Sequence, residues 1–128
     1  MKILLIDDNL DIIKLLTRVF SVKGHEIKTV TGGKEGLELI KNESWDLVLL
    51  DIAMPHFSGL QVIDNLEKNN LLKKNIIWIF TASSITDVEV DELITRGISG
   101  LIRKPIRIKE LFDKISQLKV MQTSNDTG

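Results

Sequence analysis

Five short apolar runs, separated by longer stretches whose apolar residues recur every three or four positions, constrain this chain most. The runs are Ile3-Leu4-Leu5-Ile6, a weakly alternating segment over 25–30, Leu47-Val48-Leu49-Leu50, Ile76-Ile77-Trp78-Ile79-Phe80, and a weaker segment over 98–102. The intervening stretches have helical spacing. Ile12, Leu15, Leu16, Val19 and Phe20 form the first, with Asn9 as N-cap and Gly24 as stop. The second covers 34–41, with Leu37 and Ile40 on one face, and the third follows Gly59 with Leu60, Ile63 and Leu66. Val88, Leu93 and Ile94 belong to a fourth, closed by Gly97, and Ile108, Leu111, Phe112, Ile115 and Leu118 mark the last. Strand and helix alternating five times predict an α/β fold: a five-stranded parallel sheet with helices on both faces. Continuous apolar runs suit strands buried on both sides. At 128 residues the chain is too short for an eight-stranded barrel. An open, doubly wound (βα)5 sheet is left, and such sheets bind ligands at the carboxyl ends of their strands.

Composition narrows the function classes. The length suits one domain, expected over 1–119. The polar, aperiodic stretch 120–128 predicts a disordered tail. There is no cysteine, which excludes disulfides, thiolate metal sites and a cysteine nucleophile, and two histidines are too few for a histidine-rich metal site. Seventeen basic against eighteen acidic side chains leave a net charge of −1, so no direct nucleic-acid partner is expected. No apolar run reaches the ~20 residues of a membrane span. Asp7-Asp8 interrupts the first run too early for a signal peptide. The expectation is a cytoplasmic protein without a membrane partner.

Polar residues fall where the runs stop: Asp7 and Asp8 after the first, Asp51 after the third, Thr81 after the fourth, Lys104 and Pro105 after the fifth. Singly, each has an ordinary reading. Asp7-Asp8 can stabilise a helix start, Asp51 and Thr81 can cap, and Lys104 can be a solvated lysine before a proline turn. Together they collect on one edge of a parallel sheet. Three carboxylates in one crevice repel unless a cation lies among them, and oxygen-only donors suit Mg²⁺. A divalent ion, an ammonium and a hydroxyl together suit phosphoryl oxygens.

Ile6-Asp7-Asp8-Asn9, Leu49-Leu50-Asp51-Ile52-Ala53-Met54-Pro55 with Gly59, Phe80-Thr81-Ala82 and Arg103-Lys104-Pro105 resemble the response-regulator receiver domain of two-component signal transduction. The likeness runs from about residue 1 to 119, to a single-domain, chemotaxis-regulator-like form. It implies a flavodoxin-like receiver fold and a phosphorylation-activated switch, not a conventional enzyme. By this likeness Asp51 accepts a phosphoryl group from a histidine kinase or phosphotransfer protein. Asp7, Asp8, Asp51 and the Ala53 backbone carbonyl hold Mg²⁺, while Lys104 and Thr81 bind phosphoryl oxygens. Pro105 is a cis-peptide or turn candidate. The implied output is a downstream protein target reached through the helix 4–strand 5–helix 5 face, with a homodimer as a further option.

The chain departs from the family at several positions. Leu101 stands at a switch position that is usually aromatic. Ile106 replaces a common Phe, and Arg107 is a poor helix cap. Ala53 and Ser83, two residues beyond Asp51 and Thr81, are small where the family tunes phosphoryl lifetime. His56 reads as an exposed loop histidine. Helix 4 is acidic through Asp87, Glu89, Asp91 and Glu92, and the segment after it is basic through Arg96, Arg103, Arg107 and Lys109. These charges either pair across a dimer or partner, or form two solvated faces.

Rival readings fit less well. An aspartyl-phosphate hydrolase usually needs Asp-x-Asp after the first strand, whereas Asp7-Asp8-Asn9 are contiguous. Thr31-Gly32-Gly33-Lys34 lacks the spacing and position of a phosphate loop. A flavin module would need a hydroxyl-rich loop after strand 1. The remaining alternative is a phosphorylation-independent protein-interaction domain of receiver fold.

Overall fold

The computed structural model describes the backbone of residues 1–82 and 85–127 and the side chains of residues 1–82 and 85–118. Its elements alternate: β1 (Lys2–Ile6), α1 (Leu10–Val22), β2 (Glu26–Val30), α2 (Gly33–Asn42), β3 (Leu47–Leu50), α3 (Gly59–Lys68), β4 (Ile77–Thr81), α4 (Asp87–Arg96), β5 (Gly100–Arg103) and α5 (Ile108–Thr127). The five strands form one sheet in the order β2-β1-β3-β4-β5, every pair parallel. The doubly wound expectation is met. The order reverses direction at β1, between the returns to β2 and β3, which opens a crevice at the carboxyl ends there.

The strand period of two sorts side chains into two cores. Ile3, Leu5, Leu47, Leu49, Trp78 and Phe80 pack with Leu16 and Phe20 of α1 and Leu111 and Ile115 of α5. Leu4, Ile6, Val48, Leu50, Ile77 and Ile79 pack on the other face with apolar residues of α2, α3 and α4. The interior strands read as unbroken apolar runs because each face has its own layer of helices.

Helix starts follow local chemistry. The Asn9 side chain accepts from the Asp11 and Ile12 N–H groups at 3.0 and 3.2 Å. Ser58 and Gln61 form a capping box on α3, and Thr86 caps α4. Gly24 and Gly97 carry φ of 83° and 134° just past α1 and α4, which suits glycine. Arg107 offers its carbonyl to Leu111 N–H at 3.0 Å and its guanidinium stands 3.7 Å from Glu110, and α5 starts at Ile108.

Several details differ from the sequence pattern. Leu93 is the buried residue of α4, whereas Val88 is 67% and Ile94 48% exposed. Leu15 and Leu60 are also largely exposed, because α1 and α3 bury narrower stripes than periodicity suggests. His25 precedes β2 and packs edge-on against Phe20 and stacked on Phe112. The expected tail at 120–128 falls where side chains lie outside the described residues, although the α5 backbone runs to Thr127. Among the described residues, no helix is long and apolar enough to cross a membrane.

Candidate functional site

Parallel pairing brings the polar strand ends together. The Asp7 N–H donates to the Val30 carbonyl at 3.1 Å and the Asp51 N–H to the Ile6 carbonyl at 2.9 Å, which sets both residues at one level of the sheet. One carboxylate oxygen from each of Asp7, Asp8 and Asp51 lies within 4.8 Å of the others. Asp7 and Asp51 are buried and Asp8 is exposed, so the cluster has a floor and an open side. Asp7 also accepts from the Asn9 N–H at 2.9 Å, which holds its carboxylate at the turn into α1.

Lys104 closes the cluster. Its Nζ donates to Asp7 Oδ2 at 2.7 Å and stands 3.5 Å from Asp51 Oδ2. The Lys104 N–H donates to the Thr81 carbonyl at 2.9 Å, tying the end of β5 to β4. The Lys104–Pro105 peptide bond is cis. Thr81 is the last residue of β4 and is buried. Leu101 pairs with Ile79 and lies on the same sheet face as Thr81, packed against the α2–α4 core. Ser83 lies outside the described residues.

Burial pushes the Asp51 carboxyl up to about 6, and the neighbouring Asp7 charge pushes the same way. Lys104 and the Ala53 N–H, which donates to Asp51 Oδ1 at 3.1 Å, oppose the rise. One ammonium therefore does not balance two buried carboxylates and a third beside them. The shortfall and the all-oxygen donor set fit a hard divalent cation such as Mg²⁺.

The loop after Asp51 is tightly held. Gly59 N–H donates to the Ile52 carbonyl at 3.0 Å, and a Cβ on Gly59 would strike the Asp51 carbonyl oxygen. His56 sits in this loop with φ of 66° and is exposed.

Two arginines have roles that composition did not reveal. Arg96 pairs with Asp64 at 2.6 Å and Glu67 at 3.0 Å on α3, so it leaves the basic surface expected after α4. Those partners also raise the Arg96 pKa. Arg103 donates to the Ile85 carbonyl at 2.9 Å and stands 4.0 Å from Asp87. No sequence motif marks either contact, because each joins residues far apart in the chain.

The geometry has counterparts among known proteins. The family profile described as the response regulator receiver domain matches residues 3–116, and the chain belongs to that family. The receiver domain of the Francisella response regulator 1452 is 26% identical, with a TM-score of 0.82 over 94% of this chain and 98% of that one. TrrA from Thermotoga maritima, solved in complex with Mg²⁺ and BeF, is 32% identical, with a TM-score of 0.76 over 91% of this chain and 97% of that one. The response regulator SaeR of Staphylococcus aureus is 28% identical over 116 residues, 91% of this chain and 49% of SaeR. The chain thus spans about half the length of the curated relatives it matches. Family membership makes this a receiver domain of two-component response regulators, a family of signalling switches.

Proposed function

We propose that Asp51 is the phosphoacceptor and that a histidine kinase or phosphotransfer protein is the donor. The observation that carries the reading is the buried Asp51 carboxylate beside Asp7, Asp8 and Lys104 at the carboxyl edge of the sheet. An Asp51 oxygen bonds to phosphorus while the P–N bond of the donor phosphohistidine breaks, and the imidazole nitrogen leaves with the electron pair. Asp7, Asp8, Asp51 and the Ala53 carbonyl would hold Mg²⁺, which supplies charge neutralisation for the phosphoryl oxygens. Lys104 binds one phosphoryl oxygen, exchanging part of its contact with Asp7. Thr81 turns its hydroxyl toward another.

The product carries roughly one additional negative charge. Thr81, Leu101 and Arg103 share one face of β4 and β5, and Arg103 reaches the start of α4. A shift at Thr81 and Lys104 is thereby passed to the α4–β5–α5 face, where a downstream protein or a second copy docks. Leu101 has no hydroxyl to anchor an outward or inward position, so here it reports by packing alone.

Incubation with acetyl phosphate, with and without MgCl₂, tests the assignment through intact mass. The expected result is Mg²⁺-dependent gain of one phosphoryl group by the wild type and none by Asp51→Asn. Equal labelling of that variant sinks the assignment. No labelling combined with no Mg²⁺ binding favours the phosphorylation-independent interaction domain.

A further inference from the structure

Gly32-Gly33, the cap and first residue of α2, has no part in the acidic site, and its spacing excludes a phosphate loop. The structure shows what the second glycine does. Gly33 opens α2 and is buried. A Cβ there would run into the Phe57 carbonyl oxygen, stand 2.8 Å from Phe57 Cδ1 and 3.2 Å from Val62 Cγ2. The adjoining Lys34 ammonium lies 6.0 Å from the Phe57 ring centroid. Phe57 belongs to the loop that links Asp51 to α3. That loop turns sharply at His56, across which the Phe57 N–H donates to the Pro55 carbonyl at 2.7 Å, and Gly59 presses on its other end. The segment bearing Asp51 and Ala53 is therefore wedged between the first residues of two helices, at two points where no side chain fits.

We infer that Gly33 is a positioning residue for the Asp51 site: its missing side chain lets α2 seat Phe57, and Phe57 sets the place of the Ala53 carbonyl. The inference rests on the proposed role of that carbonyl in holding Mg²⁺. Gly33 is not among the positive-φ glycines, so alanine at this position acts by steric contact. Alanine is also the better helix former. A role confined to helix α2 therefore predicts a gain from Gly33→Ala, whereas a positioning role predicts a loss at the loop. The displaced neighbour is backbone, which cannot swing aside as a flexible side chain can.

The test compares wild type, Gly33→Ala and Ile40→Ala as full chains. Ile40 is buried about two turns further along the same helix, away from the first residue of α2. Two quantities are read: calorimetric titration with MgCl₂, and amide hydrogen exchange over 52–58. Gly33→Ala is expected to weaken Mg²⁺ binding by about 10-fold, as loss of a supporting contact around metal ligands does, and to speed exchange in the loop. Ile40→Ala is expected to lower the thermal midpoint and leave both readouts near wild type. Wild-type affinity and exchange in Gly33→Ala overturn the inference, as does an equal loss in Ile40→Ala. A wild type that binds no Mg²⁺ overturns the metal reading instead, and loop exchange then decides the part played by Gly33. If Gly33→Ala does not fold, Phe57→Ala removes the ring from the same contact. Faster loop exchange in it supports the inference and unchanged exchange overturns it.

Discussion

The acidic edge of the sheet and helix α4 are attached to the same core by opposite means. Asp7 and Asp51 follow strands that are buried on both faces, and backbone bonds across three strands set their positions. Helix α4 buries Leu93 and leaves Val88 and Ile94 exposed. Polar contacts hold its two ends: Arg96 to Asp64 and Glu67, and Arg103 to the Ile85 carbonyl. Burying one leucine contributes ~1.5–3 kcal/mol, and exposed ion pairs add only about 0.2–1 kcal/mol each. The edge is thus built to keep charged groups in place against their repulsion, whereas α4 can shift at small cost. Low-stability elements are those that a switch can move. Arg103 joins the two regions, being the residue next to Lys104 and the tether of α4.

Substitutions at the edge bear on this contrast most strongly. Asp51→Asn is expected to abolish labelling by acetyl phosphate, and Lys104→Ala to slow it by about 100-fold, the usual loss when one preorganised donor is removed. A Lys104→Ala variant labelled at the wild-type rate would break the picture of an edge organised around that ammonium.

Mg²⁺ gives the next effect. A ligand at 100 times its dissociation constant stabilises the fold by about 2.7 kcal/mol. For a chain of this size that raises the thermal midpoint by roughly 10 °C. Asp8→Ala should remove most of the rise while leaving the metal-free midpoint nearly unchanged, since Asp8 is exposed.

Without Mg²⁺, the edge carries a pH signature. The Asp51 pKa lies near 6 in the fold against 3.8 as its ordinary value. Between those values the folded protein binds more protons than the unfolded chain, so this group lowers stability as pH rises and costs most above 6. Asp51→Asn should therefore stabilise the metal-free protein by on the order of 2 kcal/mol at pH 7.5, with the gap closing toward pH 4. Denaturant titrations at the two pH values check this, and a gap that widens toward acid would reverse the sign.

The α4 effects are smaller. Leu66→Ala in α3 should cost ~2–5 kcal/mol of global stability. Arg96→Ala should cost under about 1 kcal/mol globally yet speed amide exchange across 87–96. Exchange in α4 that tracks global unfolding in both variants would show α4 to be as firmly built as the edge.

Much of this was legible beforehand. Asp7, Asp51 and Lys104 were found from the ends of apolar runs, because in a parallel sheet every strand finishes on the same side. Asn9, Gly24 and Gly97 were read from capping chemistry, which acts over a few residues. The span of α4 and its stop at Gly97 were legible too, but not its burial: Val88 and Ile94 satisfy a helical period, and periodicity cannot tell how wide a stripe the neighbouring layer covers. Gly33 entered the sequence reading only within a phosphate loop that the spacing rules out. A glycine pair before a helix is the same string whether it receives a phosphate or a neighbouring carbonyl, and only the position of Phe57 separates the two.

The sequence by itself determined the doubly wound class, the strands and the residues of the acidic edge, since these follow from hydrophobic period and local capping. Tertiary structure alone decided which face each helix buries, the pairing of Arg96 with α3, the reach of Arg103 to Ile85 and the seating of Phe57 on Gly33. Those contacts join residues far apart in the chain, and their energies depend on distances of a few tenths of an ångström that no local pattern encodes.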